Sequence, residues 1–251
     1  MKLCFMTFVC PEWDIETAVK FAARAGYQGI EIRVDAGHRH GISWESSAAE
    51  RTRVNRLFAA SGVEVASVAT SVNFAFPDPK LHAENLASAK ANLRLAADLG
   101  APVVRIFAGG KIQALTTGAA TQVAASFDEV GEFAAPLAVC PLLECGHDII
   151  TGSAEAADVI RRVTVANFGA LWNHAVLDDA TYAVLKGRLR HFHVHEEVLE
   201  PENTAILELA RRMKPAGYRG YVSLEIIKGH NLPEDLLVAT AERLRGYIAS
   251  A

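Results

Sequence analysis

The segment Leu189-Arg-His-Phe-His-Val-His-Glu196 places His191, His193 and His195 at alternate positions. A strand turns successive side chains to opposite faces, so as a strand this run presents all three imidazoles to one side. Imidazole is the commonest protein metal ligand and titrates nearest neutral pH, so such a face suits a divalent ion or a proton-handling pocket. Two carboxylates inside apolar, strand-like runs extend the pattern: Glu144 in Pro141-Leu-Leu-Glu-Cys145 and Glu225 in Val222-Ser-Leu-Glu-Ile226. A carboxylate in that setting is costly to bury unless it is paired or coordinated. Clusters of His and carboxylate select divalent ions, and the plainer alternative is a buried Glu bonded to a core Arg.

The composition bounds what these residues can belong to. A chain of 251 residues that is 51% hydrophobic and 22% charged can bury a large core. A net charge of −4 leaves no basic stripe for a phosphate backbone, so no nucleic-acid partner is expected. Cys4, Cys10, Cys140 and Cys145 lie on or near apolar runs, which reads as reduced core thiols rather than disulfides. The first apolar run, Leu3 to Val9, is interrupted by Pro11, Glu12 and Asp14 and is too short for a signal or membrane-spanning core. A cytoplasmic location without a membrane partner follows as the expectation.

Eight short apolar or β-branched runs alternate with amphipathic stretches, the signature of repeated βα units. The runs are Lys2–Thr7, Gly29–Arg33, Val63–Thr70, Pro102–Phe107, Val139–Cys145, Phe168–Asn173, Leu189–His195 and Tyr221–Ile227. Helices are predicted over Asp14–Ala25, Ser47–Ala60, Ala83–Leu99, Thr121–Ala135, Ala154–Arg162, Asp178–Lys186, Thr204–Lys214 and Pro233–Ala249. Ser47-x-x-Glu50 forms a capping-box signature, and Gly26, Gly62 and Gly100 stand where three helices should stop. Eight such units in this length make an α/β fold, a single (β/α)8 TIM barrel, with residues 1–251 as one domain. A doubly wound sheet would carry a Gly-rich phosphate loop after an early strand, and the sequence has none.

In such a barrel, reactive groups sit at the C-terminal ends of the strands. There the fifth run ends in Glu144-Cys-Gly-His147-Asp148, the sixth in Trp172-Asn173-His174, the seventh in the three histidines and the eighth in Glu225. Together with Gly26-Tyr-Gln-Gly-Ile-Glu-Ile-Arg33 and Val104-Arg-Ile-Phe-Ala-Gly-Gly110, these motifs resemble the xylose isomerase-like TIM barrel family, the sugar phosphate isomerase/epimerase group.

The resemblance implies one divalent metal ion, with Mn2+ or Mg2+ favoured and Zn2+ or Co2+ in some members, held by Glu, Asp, His and Glu at the ends of strands five to eight. Carried over, the ligands are Glu144, His193 and Glu225. The sixth strand departs from the family: Asn173 stands for the Asp, His174 follows it, and Val176 occupies the place of a downstream His. An amide oxygen can ligate a hard ion but brings no charge, so affinity should fall. Alternation lets only one of Asn173 and His174 point fully inward, and either could be the fourth ligand.

The implied activity is metal-dependent isomerisation or epimerisation of a small sugar or polyol, by proton abstraction next to a metal-bound carbonyl, with Glu144 and Glu225 as base and acid. Arg33, His38, His40, Arg105, His147, His174 and His195 are candidates for contacts to substrate hydroxyls or carboxylates. Trp44, Phe74, Phe76, Phe107 and Trp172 are candidates for the pocket wall. Self-association into a homo-oligomer is left open. The alternatives are a degenerate, non-catalytic sugar-binding barrel and, behind it, an endonuclease IV-like hydrolase, which needs further His and Asp ligands.

Overall fold

A computed structural model describes residues 1–110, 112–227 and 231–251. In chain order the strands and helices are β1 (Lys2–Met6), α1 (Ile15–Ala25), β2 (Gly29–Arg33), α2 (Ala48–Ser61), β3 (Glu64–Ala75), α3 (Pro79–Leu99), β4 (Val103–Gly110) and α4 (Thr117–Ala134). The second half repeats the alternation with β5 (Cys140–Cys145), α5 (Ser153–Ile160), β6 (Gly169–Trp172), α6 (Asp179–Leu185), β7 (Leu189–Val194), α7 (Ala205–Met213), β8 (Tyr221–Leu224) and α8 (Glu234–Ser250). Each strand pairs in parallel with the next, and β1 pairs with β8 through Lys2↔Tyr221, Leu3↔Val222, Cys4↔Ser223 and Phe5↔Leu224. The sheet is thus a closed (β/α)8 barrel, the architecture expected from the alternation.

Local chemistry sets the helix limits. Asp14 caps α1 by accepting the Thr17 N–H at 2.8 Å, and Gly26 ends it at φ 77°, a left-handed conformation that glycine adopts without penalty. Two helices begin four residues earlier than expected. Asp78 accepts from the Lys80 N–H and Pro79 fills the first helical position of α3; Thr116 accepts from the Ala119 N–H of α4. At α2, Ser47 accepts from the Glu50 N–H at 3.2 Å, while the Glu50 carboxylate pairs with Arg53. β3 runs on to Ala75 and β4 to Gly110, whereas β8 stops at Leu224, so Glu225 stands just beyond the strand with its N–H still donating to the Val194 carbonyl.

The main core lies between the barrel wall and the helices. Phe5 meets Phe21 and Tyr27 edge to face, and Phe127 on α4 packs against Phe74 on β3 and Phe168 before β6, at ring centroid distances of 5.1 and 5.0 Å. Full burial of each such ring contributes on the order of 1.5–3 kcal/mol. Inside the barrel the contacts differ: Cys4, Ala66 and Tyr221 cluster at one level, and Val103, Leu142 and Leu171 form another apolar group. The polar residues of the same strands continue from there. All four cysteines are free, and among the described residues no helix is long and apolar enough to cross a membrane.

Candidate metal and substrate site

Period-two alternation brings the side chains of the seventh strand inward as expected. Arg190 is exposed, Phe192 and Val194 face the outer core, and His191 and His193 are fully buried within the barrel. Glu144 from β5 and Glu225 from beyond β8 flank His193: its Nδ1 lies 3.3 Å from Glu144 Oε1 and 3.1 Å from Glu225 Oε2. One ligand-capable atom from each of Glu144, His193 and Glu225 falls within 4.8 Å of the others. His195 extends the cluster upward, its Nε2 3.2 Å from the same Glu225 oxygen.

The other side of the His193 ring meets a residue that the strand-end reading passed over. Glu31 of β2 is fully buried and accepts from His193 Nε2 at 3.1 Å and from His191 Nε2 at 3.0 Å. The signal was available, since Glu31 sits between isoleucines in β2 just as Glu144 sits between apolar neighbours in β5. Burial alone would raise the Glu31 carboxyl, but the His193 and His191 imidazoles outweigh it and hold the group well below the usual carboxylate range. Burial would likewise lower His193, yet Glu225 and Glu31, with hydrogen bonds to Glu144 and Glu225, hold its imidazole well above its ordinary value. Glu225 is depressed for the converse reason: burial opposes the charge, and His193 and His195 overcome that opposition.

A cavity of about 270 Å³ opens above this cluster, with Glu144, Asn173, His195 and Glu225 in its lining. Comparable or larger hollows lie beside α7 and beside Phe76 and Gln122, but the one at the strand ends is where carboxylates and imidazoles converge. Of the two candidates on the sixth strand, Asn173 is the buried one, at 4% exposure, and its Oδ1 has no hydrogen-bond partner; His174 is exposed at the rim and packs against Trp172 and His195. Trp172 Nε1 donates to the Val176 carbonyl at 2.8 Å, leaving the Val176 side chain 72% exposed. Gly146, at φ 84°, also lines the cavity; a Cβ there would come within 2.9 Å of His174 Cδ2 and 3.0 Å of Trp172 Cζ3.

Arg33, Arg105, His147, His174 and His195 all line the cavity, as does Phe107. Arg105 is 1% exposed, stacks on Phe107 at 3.9 Å and has Nη1 3.3 Å from Glu144 Oε2. Burial, and secondly Arg105, lower the Arg33 guanidinium to about 10, so the two cations sense each other across the mouth.

Several candidates fall elsewhere. His38 sits behind Phe8, which does line the cavity, with Nδ1 3.0 Å from Thr7 Oγ1. His40 is tied into its own loop by accepting the Ile42 N–H. Phe74 belongs to the outer core, Phe76 lines a different hollow, Trp44 is 42% exposed, and Trp172 supports His174 from behind.

The chain belongs to the xylose isomerase-like TIM barrel family, which it matches over residues 19–247. No curated protein matches it by sequence. Among solved structures it is similar to D-psicose 3-epimerase with D-tagatose from Clostridium cellulolyticum H10, at a TM-score of 0.80 and 16% identity, covering 100% of this chain and 99% of that one. It is similar also to 3-keto-D-glucoside 4-epimerase from E. coli in the apo form, at 0.78 and 15% identity with 99% of each chain covered. A third similar structure is the IolI protein with a bound zinc atom, at 0.78 and 18% identity, covering 100% of this chain and 99% of that one. At these identities the likeness carries the fold.

Proposed function

We propose that this chain, read as one domain over residues 1–251, is a metal-dependent isomerase or epimerase of a small sugar-like hydroxy-carbonyl compound. The convergence of Glu144, His193 and Glu225 beneath one cavity carries the reading. An orphaned acceptor tests the fit to a divalent ion: Asn173 Oδ1 is buried without a hydrogen-bond partner, and an oxygen-binding cation is what such an atom lacks, whereas Glu144 Oε2 already faces Arg105 Nη1 at 3.3 Å. Glu144, His193 through Nδ1, Glu225 and Asn173 would hold it. The family's use of a divalent ion and the zinc in the similar IolI structure support the same assignment. When bound, the ion would polarise a substrate carbonyl and so acidify the neighbouring C–H.

The chain's own residues then handle the proton. One of Glu144 and Glu225 takes it from the carbon beside the carbonyl, and the other returns a proton to that carbon, inverting it when delivery is to the opposite face. His195, bonded to Glu225, links that carboxylate to the cavity mouth. Arg105 and Phe107 fix the side of the pocket next to Glu144, and His147 packs on Phe107 at 5.3 Å. Glu31 holds the far nitrogen of His193, which leaves Nδ1 turned to the two glutamates. The similar epimerase structures suit a sugar-like ligand.

The test is elemental analysis of the purified protein followed by solvent-deuterium exchange over a panel of ketoses, inososes and hydroxy-carbonyl acids. Incorporation of deuterium at the carbon next to the carbonyl, abolished by chelator and by Glu144→Gln, is the expected result. Tight metal binding without exchange on any member would instead describe a binding barrel.

A further inference from the structure

Two guanidiniums stand at the mouth of the site with donors that the protein does not use. Arg105 is buried and ion-paired with Glu144, Nη1 to Oε2 at 3.3 Å, but its Nε and Nη1 make no hydrogen bond. Arg33 is pinned by the carbonyls of Val34 and Ala69 and by Ser71 Oγ at 2.6 Å, and its Nε is also orphaned. Its fixed partners are neutral, and among the described residues no carboxylate lies within ion-pair distance of it. Buried cations with open donors are costly unless a ligand takes them.

The charge balance points the same way. The cavity lining sets two carboxylates, Glu144 and Glu225, against these two guanidiniums, with a neutral Asn173 beside them. A divalent ion held there leaves two positive charges in excess, which buried Glu31 and, from solvent beside Arg33, Asp35 offset only in part.

Resting on the metal reading above, we infer that the substrate is an anion whose carboxylate or phosphate is held by Arg105 and Arg33, and that this anion and the divalent ion bind cooperatively. The substrate supplies the negative charge that Asn173 omits. Each ligand removes a repulsion felt by the other, and the coupling is reciprocal by thermodynamic linkage. A neutral sugar can offer its hydroxyls to the guanidinium donors but cannot offset the charge.

The experiment is calorimetric titration of Mn2+ into chelator-treated protein, alone and with saturating D-tagaturonate, D-fructose 6-phosphate or D-fructose, using the free Mn2+ concentration in each buffer. One of the two anions should tighten Mn2+ binding at least tenfold, and which one does so separates carboxylate from phosphate; D-fructose should change it less than twofold. Arg105→Gln and, as a second variant checked for an unchanged melting curve, Arg33→Gln should remove the anion effect, while Asn173→Asp should tighten Mn2+ binding alone and shrink the anion effect. Coupling to D-fructose as strong as to the anions, or Mn2+ binding indifferent to both anions, would overturn the inference and leave the metal site standing. No Mn2+ binding in any mixture, Asn173→Asp included, would instead overturn the metal reading and this inference with it.

Discussion

Both carboxylate oxygens of Glu31 lie 3.1 Å from His193 Nε2, on the side of the ring away from Glu144 and Glu225. A carboxylate there fixes the orientation of the imidazole and its tautomer, and raises the basicity of the nitrogen left facing the site.

Glu31→Gln keeps the size of the side chain but gives up the charge that orients His193. Its Mn2+ affinity should fall by about 10- to 100-fold with Glu144, Asn173 and Glu225 intact, as substitutions behind metal-binding histidines do. Calorimetry against the unaltered protein reads this, and equal affinities would show that Glu31 serves packing alone.

His40 gives the protein a pH dependence away from the site. Burial, and then His38, hold its imidazole down to about 4, against an ordinary value near 6.5, and its Nδ1 accepts the Ile42 N–H. The unfolded chain therefore binds more protons than the folded one between those values, so this contribution to stability is intact above about pH 6.5 and is lost progressively as the pH falls towards 4. At about 1.4 kcal/mol per pKa unit, the loss reaches at most about 3 kcal/mol. Urea titrations of His40→Gln and the parent at pH 7 and pH 4.5 should give a smaller fall for the variant; parallel curves would refute the assignment.

Phe127→Ala opens a hole between Phe74 and Phe168 in the outer core. Surrounding helices and strands collapse only partly into such a space, so unfolding free energy should drop by about 3–5 kcal/mol. The measurement is equilibrium denaturation, and a cost under about 1 kcal/mol would mean that the wall relaxes freely.

Gly146→Ala forces a Cβ onto His174 and Trp172 from a left-handed backbone. The strain should cost about 1–3 kcal/mol of stability, and the displaced His174 should weaken ligand binding at the mouth. A variant that melts with the parent and binds the ligand found in the exchange panel equally well would contradict this.

The fold was legible because local rules repeat eight times: apolar runs of strand length, capping residues such as Asp14 and Ser47, and a glycine stop at positions such as Gly26. The strand-end carboxylates were legible for a different reason, since Glu144 and Glu225 break apolar runs and so cannot be filler. Glu31 breaks one in the same way, but its partners lie on β7, 160 and 162 residues away, and only closure of the barrel brings them together. Phe74 and Phe76 mark the opposite limit. As aromatics near a strand end they suit a pocket wall, but β3 runs past Phe74 to Ala75 and turns that ring outward onto Phe127, while Phe76 just beyond the strand lines a different hollow. Alternation left Asn173 and His174 equivalent, and burial separates them.

Closure of the barrel through β1 and β8 gives the site a place in the order of assembly. Strands β1 to β4 bring Glu31, Arg33 and Arg105, and the ends of strands β5 to β8 bring Glu144, Asn173, His193 and Glu225, so one half of the chain carries the residues that would hold an ion and the other carries the carboxylate that orients His193 and the two guanidiniums. Such long-range contacts form late, after the entropy of closing the chain has been overcome. The second half on its own lacks Glu31 behind His193, whereas the closed barrel holds that imidazole from both sides. An ion held at the site would stabilise by mass action the state in which the two halves have met, because only there does Glu31 stand behind the His193 that binds it.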